Sequence, residues 1–227
     1  MKRGFTILAT VTALLLSFAL YEALIAAPTE RTMGDVQRIF YYHVPSAWTA
    51  FLLFLINFVA SVVFLIRRDS GSDVLALVSA EVGVVFCTVV LVTGPIWARP
   101  VWGIWWTWDL RLTLTLVLWL IYVSYLVLRR FSTSSQTAVL AAVLGVFGAL
   151  DVPLVYFSIW FFRTQHPSPV IGNGGSLDPR MAHVLLINWA AFLCLAWLMC
   201  WTRYRLEVLK REVEEAQSLQ SLMETSR

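Results

Sequence analysis

Six long apolar runs dominate this sequence and leave it little choice of architecture. They lie near residues 5–27, 46–66, 74–93, 112–128, 138–157 and 182–201, each close to the roughly 20 helical residues that cross a bilayer. Lipid offers the backbone no hydrogen-bond partners, so a spanning segment is a helix or a strand of a closed barrel. Runs this long, without polar alternation, are helices. Only 14% of the 227 residues are charged and 59% are hydrophobic, against about a quarter charged in soluble domains. The expected fold is therefore an all-α integral membrane bundle of six transmembrane helices, with a short interfacial Trp-rich outer segment. The first run follows Met1-Lys2-Arg3 and ends Ala26-Ala27-Pro28, which also suits a secretory signal. Its full spanning length and Glu22 favour an uncleaved helix.

Lys and Arg set the orientation. With the N-terminus in the cytoplasm, the inner ends hold Lys2, Arg3, Arg67, Arg68, Arg129, Arg130, Arg203, Arg205, Lys210, Arg211 and Arg227. The outer ends hold Arg31, Arg38, Arg99, Arg111, Arg163 and Arg180. The bias puts both termini in the cytoplasm. Residues 1–206 then form the transmembrane domain and 207–227 a cytoplasmic tail. The tail's charges (Glu207, Lys210, Arg211, Glu214, Glu215) read as a solvated face without a site. The inner connections, 67–73 and 129–137, are short and polar. The outer segments, 28–45, 94–111 and 158–181, are longer and chemically richer, and loops on a rigid scaffold are where function concentrates.

The outer segment Trp97 to Thr113 holds five of the 11 tryptophans, interleaved with Arg99, Asp109 and Arg111. If it is helical from Val101 onward, Trp102, Trp105, Trp106 and Asp109 share one face. Such an aromatic shelf ending in a carboxylate suits a flat, apolar ligand with a charged edge. The alternative is an interfacial aromatic belt. All three histidines, His43, His166 and His183, also fall on the outer side. Neutral imidazole is the commonest metal ligand. No carboxylate or Cys cluster accompanies them at zinc spacing, whereas haem iron needs only one or two axial ligands in an apolar cleft. Haem propionates need cations, for which Arg38, Arg99, Arg111 and Arg163 are the candidates.

Cys87, Cys194 and Cys200 form no Cys-x-x-Cys pair and no Cys-x-x-Cys-His site, which excludes a dithiol oxidoreductase and a c-type cytochrome; they read as small core residues. Glu22, Glu81 and Asp151 are intramembrane acids, each either functional or hydrogen-bonded within the bundle. Asp151 precedes Pro153, a combination that predicts a kink. Two other functions compete with haem handling. A permanent haem b redox protein would need histidines within the spans. A channel or transporter subunit for an unrelated solute would use the acids as a polar path.

The run Trp102-Gly-Ile-Trp-Trp-Thr-Trp-Asp-Leu-Arg-Leu-Thr113 resembles the tryptophan-rich (WWD) signature of haem-handling proteins in cytochrome c biogenesis. The six-helix layout is similar to the haem exporter protein C (CcmC-type) branch of the cytochrome c maturation system. The likeness extends to the Val-Pro-Ser-Ala-Trp context after His43, to Asp151-Val-Pro-Leu-Val-Tyr-Phe-Ser158, and to the Phe-Phe-Arg-Thr-Gln-His run at His166. The resemblance implies transiently bound haem b at the periplasmic face of the inner membrane. His43 and His166 would be the iron ligands, with Trp102, Trp105, Trp106, Trp108, Asp109 and Arg111 completing the site. It implies a delivery component, at most with a haem-lyase-like loading activity, rather than an enzyme. It implies a membrane-anchored haem chaperone that receives the haem, an ATP-binding-cassette pair, a small single-span subunit and membrane lipid as partners, and no nucleic acid. The chain carries no Gly-rich phosphate loop, so energy would come from such a partner. Gln165 stands where the family pattern is apolar and Pro167 follows, so His183 remains an alternative to His166.

Overall fold

In a computed structural model, which describes residues 2–132, 134–162, 164–167 and 177–225, the chain is helical almost throughout. Helix α1 (Lys2–Tyr21) continues into a π-turn at Glu22–Ala26. A 3-10 turn at Asp35–Ile39 leads into α2 (Phe40–Arg67), followed by α3 (Ser70–Trp102) and α4 (Leu110–Phe131). Then come α5 (Thr137–Ala149), α6 (Asp151–Phe161) and α7 (Pro179–Thr225). Helices α5 and α6 together make one span, giving six segments long and apolar enough to cross a membrane. Each expected span is present.

The boundaries move in three places. Helix α3 does not stop at Thr93 but passes through Pro95 and Pro100 to Trp102. A proline removes one helical hydrogen bond, a smaller loss than ending the helix there and freeing its last carbonyls at once. The stop comes at Gly103, which adopts φ 79° and donates its N–H to the Arg99 carbonyl at 3.0 Å; only glycine takes this left-handed conformation without strain. The fifth span breaks at Leu150, and Pro153 sits in the first turn of α6, where its missing N–H would be unpaired anyway. The tail is not separate: α7 runs unbroken from the last span to Thr225.

Small residues let the inner helices approach closely. Gly83 of α3 faces Phe54 of α2, and a Cβ there would lie 2.6 Å from the Phe54 ring. Phe54 in turn stacks on Tyr122 of α4 at 3.9 Å between centroids. Gly145 of α5 gives room to the Asn57 side chain, which donates to the Ala76 carbonyl at 2.7 Å. At the end opposite the histidines, charges close the bundle. Arg129 donates bidentately to Asp73 at 2.6 and 2.7 Å, and Arg211 reaches the same carboxylate at 2.7 Å. Arg203 pairs with Glu81 at 2.7 Å and with Glu207 at 3.1 Å. Glu207 and Arg211 are thus not part of a solvated face. Glu207 is buried, because the root of the tail docks against α3. Lys210 and Glu214 do face solvent, 3.8 Å apart.

Candidate functional site

His43 lies in the first turn of α2 and His166 in the segment after α6, 123 positions later. Their rings nonetheless meet, with centroids 6.4 Å apart and planes inclined by 33°. Each ring is held through one nitrogen. His43 Nδ1 lies 2.9 Å from Thr93 Oγ1 of α3. That hydroxyl already donates its single proton to the Val89 carbonyl at 2.7 Å, so it accepts from the imidazole and Nδ1 carries the hydrogen. His166 Nδ1 lies 2.9 Å from the Pro167 carbonyl, which can only accept. Both rings therefore keep their protons on Nδ1 and present a bare Nε2, the arrangement in which a second partner orients a ligating histidine.

Burial, then the Arg111 guanidinium, push His166 down to about 4, while its bond to Pro167 and the Asp109 carboxylate oppose the shift. The ring is neutral at physiological pH, as a metal ligand must be. Two metal–imidazole bonds of about 2.0–2.1 Å plus the ring radii place centroids roughly 6–6.5 Å apart across one ion, the separation found here. Among the described residues, no group of three or more His, Cys, Asp or Glu converges as a metal site. His183, exposed on the second turn of α7, has no ring contact with the pair among those residues.

The tryptophans form a loop rather than a helical face. Gly103 ends α3 and Asp109 starts α4 as its N-cap, accepting from Leu112 N–H at 3.1 Å and from Thr107 Oγ1 at 2.9 Å. Trp105, Trp106 and Trp108 lie in the irregular stretch between, so the single-face shelf with Trp102 and Asp109 does not exist as expected. An αL glycine and an Asp cap outweigh the apolar periodicity. Trp102 packs edge-on against Trp97, and Trp106 against Trp108. Trp105 and Trp108 are 59% and 77% exposed. At the end of this loop Arg111 and Asp109 act on His166, while Thr93, ten residues before Gly103 on α3, bonds His43.

The arginine candidates separate. Arg38 is engaged in structure, bonding Asp35 at 3.0 Å and the Ala23 carbonyl at 2.9 Å. Arg99 donates to the Gly103 carbonyl at the end of α3. Arg163 lies outside the described residues. Arg111 Nη1 is buried without a partner, as are Trp106 Nε1 and Thr113 Oγ1 nearby in the chain. Unmet buried donors cost about 1–3 kcal/mol each, so an acidic or acceptor-bearing ligand edge suits this corner. Of the intramembrane acids, Glu81 is tied to Arg203, Asp151 is buried at the α5–α6 break, and Glu22 opens the π-turn; none joins the histidines among the described contacts. Thr93 is the site residue that sequence reasoning missed. It stands 50 positions from His43 inside an apolar run, and only its place before Gly94-Pro95 marks it.

The family profile described as "CcmC: Heme exporter protein C" matches residues 1–219. The chain is 36% identical over 217 residues to "Heme exporter protein C" of Bradyrhizobium diazoefficiens, covering 94% of this chain and 82% of that one. It is 32% identical over 182 residues to a "Putative cytochrome c biosynthesis ccmC-like mitochondrial protein" of Marchantia polymorpha, covering 80% and 78% of the two. To "Heme exporter protein C" of Escherichia coli K12 it is 31% identical over 187 residues, covering 82% and 76%. A profile match across nearly all of the chain, with relatives aligned over most of both lengths, makes the conclusion plain: this chain belongs to the heme exporter protein C family.

Proposed function

We propose that this protein handles haem for cytochrome c maturation, holding it transiently as cargo between His43 and His166. The observation that carries the reading is the paired imidazoles, 6.4 Å apart, each with Nδ1 occupied by its own acceptor. Iron supplies two axial positions, and the free Nε2 atoms are the groups to fill them. Arg111, with its unpartnered Nη1, would meet a propionate. Trp102, Trp105, Trp106 and Trp108 would cover the porphyrin faces and edges, and Asp109 would fix the start of α4 and balance Arg111. The exposed Trp105 and Trp108 leave the cargo accessible from one side, which suits delivery onto a membrane-anchored haem chaperone.

The Lys and Arg distribution supports a functional face on the periplasmic side of the inner membrane, with both termini cytoplasmic. The names of the relatives support an exporter system, in which an ATP-binding-cassette pair and a small single-span subunit would be partners. The test is spectroscopic. Protein purified from haem-replete cells should show a Soret band of low-spin, bis-imidazole type. His43→Ala and His166→Ala should each lose or alter it, with added imidazole partly restoring it, while His183→Ala stays mild. No Soret band in the wild type would refute haem binding. A severe His183→Ala with a silent His166→Ala would move the second ligand.

A further inference from the structure

The hydrogen-bond chain behind His43 has a direction. Thr93 Oγ1 has one proton and gives it to the Val89 carbonyl at 2.7 Å, with Val90 a distant second acceptor at 3.4 Å. What remains at that oxygen is lone-pair density, and His43 Nδ1 lies 2.9 Å away. The next residue lies alongside: a Cβ on Gly94 would sit in ordinary contact, 3.4 Å from His43 Cε1, so the ring packs over the side of α3 that carries this glycine. Thr93 fixes which nitrogen carries the hydrogen, and that bond in turn sets the orientation of the ring. The acceptor is also neutral. A carboxylate at this position would make the imidazole a strong donor to a metal; a hydroxyl already polarised by its own bond to a carbonyl makes it a moderate one. A protein that must hold its cargo and then give it up needs a ligand of that middle strength.

We propose that Thr93 is the positioning residue for His43, fixing its Nδ1–H tautomer so that Nε2 is the ligating atom and setting the strength with which that ligand holds haem. The proposal rests on the haem reading above and extends it to a residue that does not touch the cargo. The test uses full-length protein in detergent, loaded with haem: wild type, Thr93→Val, Thr93→Ala and Thr93→Ser. Three properties are read, namely the rate of haem loss to an apomyoglobin scavenger, the low-spin fraction in the visible spectrum, and the haem reduction potential.

Loss of such an outer partner typically costs 10–100-fold in metal affinity. Thr93→Val and Thr93→Ala should therefore lose haem roughly 10–100-fold faster, gain high-spin character that added imidazole reverses, and shift to higher potential. Thr93→Ser should match the wild type on all three. Thermal unfolding of the haem-free variants provides the control. A Thr93→Val that retains haem, spin state and potential overturns the proposal. So does a Thr93→Ser that fails like Thr93→Val, or a haem loss that merely follows loss of the haem-free fold, since either result makes Thr93 a packing residue. Wild type without haem, or a spectrum indifferent to His43→Ala, overturns the haem reading itself and the proposal with it.

Discussion

Asp109 carries two duties that a substitution series can separate. Its carboxylate caps α4 through Leu112 N–H at 3.1 Å and accepts from Thr107 at 2.9 Å; it also places a negative charge beside Arg111 and His166. Asp109→Ala removes both. Losing an N-cap costs about 0.5–2 kcal/mol, and the Thr107 bond adds about another 0.5–1.5 kcal/mol. For a chain of this size each kcal/mol moves Tm by about 2–4 °C, so Asp109→Ala should melt several degrees lower yet still accumulate. Asn and Ser cap almost as well as Asp, and their remaining cost is the charge–dipole interaction of about 0.3–1 kcal/mol. Asp109→Asn and Asp109→Ser should therefore stay close to wild type in Tm. If the charge serves haem transfer, both nonetheless fail to load a chaperone, scored as haem-stained chaperone in membranes beside melting curves of the purified variants. Full loading by Asn and Ser, with a defect in Ala that scales with its lower Tm, would refute the charge argument and leave Asp109 as a cap alone.

Three further outcomes are expected. His166, held down to about 4 against an ordinary 6.5, binds a proton more readily unfolded than folded. Its contribution to stability is therefore complete above about pH 6.5 and falls as pH drops from there towards 4; the imidazole followed by NMR in the haem-free protein should protonate near the lower value, and a midpoint near 6.5 would contradict the burial of the ring. Asp73→Asn strands Arg129, whose side chain is 10% exposed, and should cost about 3–5 kcal/mol, whereas Asp73→Leu combined with Arg129→Leu recovers most of it; a cost below about 1 kcal/mol in urea or detergent unfolding would class the pair as a surface bridge. Gly83→Ala presses a methyl 2.6 Å from a Phe54 ring that is itself stacked on Tyr122, so destabilisation of about 1–3 kcal/mol is expected, and an unchanged Tm would show that this core yields.

The spans were legible because lipid enforces them: twenty apolar residues in a row admit few other structures. The juxtaposition of His43 and His166 was legible through the resemblance of the stretches around them to a known family, and the structure brings those two rings together. What was not legible depended on contacts distant in sequence. Periodicity placed Trp102, Trp105, Trp106 and Asp109 on one face, but Gly103 and the Asp109 cap decide the backbone there. The third apolar run stopped at Thr93, yet α3 continues through Pro95 and Pro100 to Trp102, since losing a hydrogen bond at each proline costs less than freeing a whole helix end. By charge alone four arginines were equal candidates, and only the resemblance picked out Arg111; among those described it alone is left with a buried nitrogen unpaired, because Arg38 and Arg99 find acceptors in their own neighbourhoods. Glu207 and Arg211 read as polar tail until Asp73 and Arg203 were seen to enclose them.

Helix α7 has a mechanical side. Its 47 residues at 1.5 Å per residue make a rod of about 70 Å, more than twice the hydrocarbon thickness of roughly 30 Å. It is pinned between its midpoint and about one third of its length from the tail, where Arg203 and Arg211 grip Glu81 and Asp73, and steadied higher up where Asn188 donates to the Ala19 carbonyl of α1. A rod held at such a fulcrum is a lever. The tail and the membrane arm cannot tilt independently, and a twist applied at either end travels the full length without a joint to absorb it.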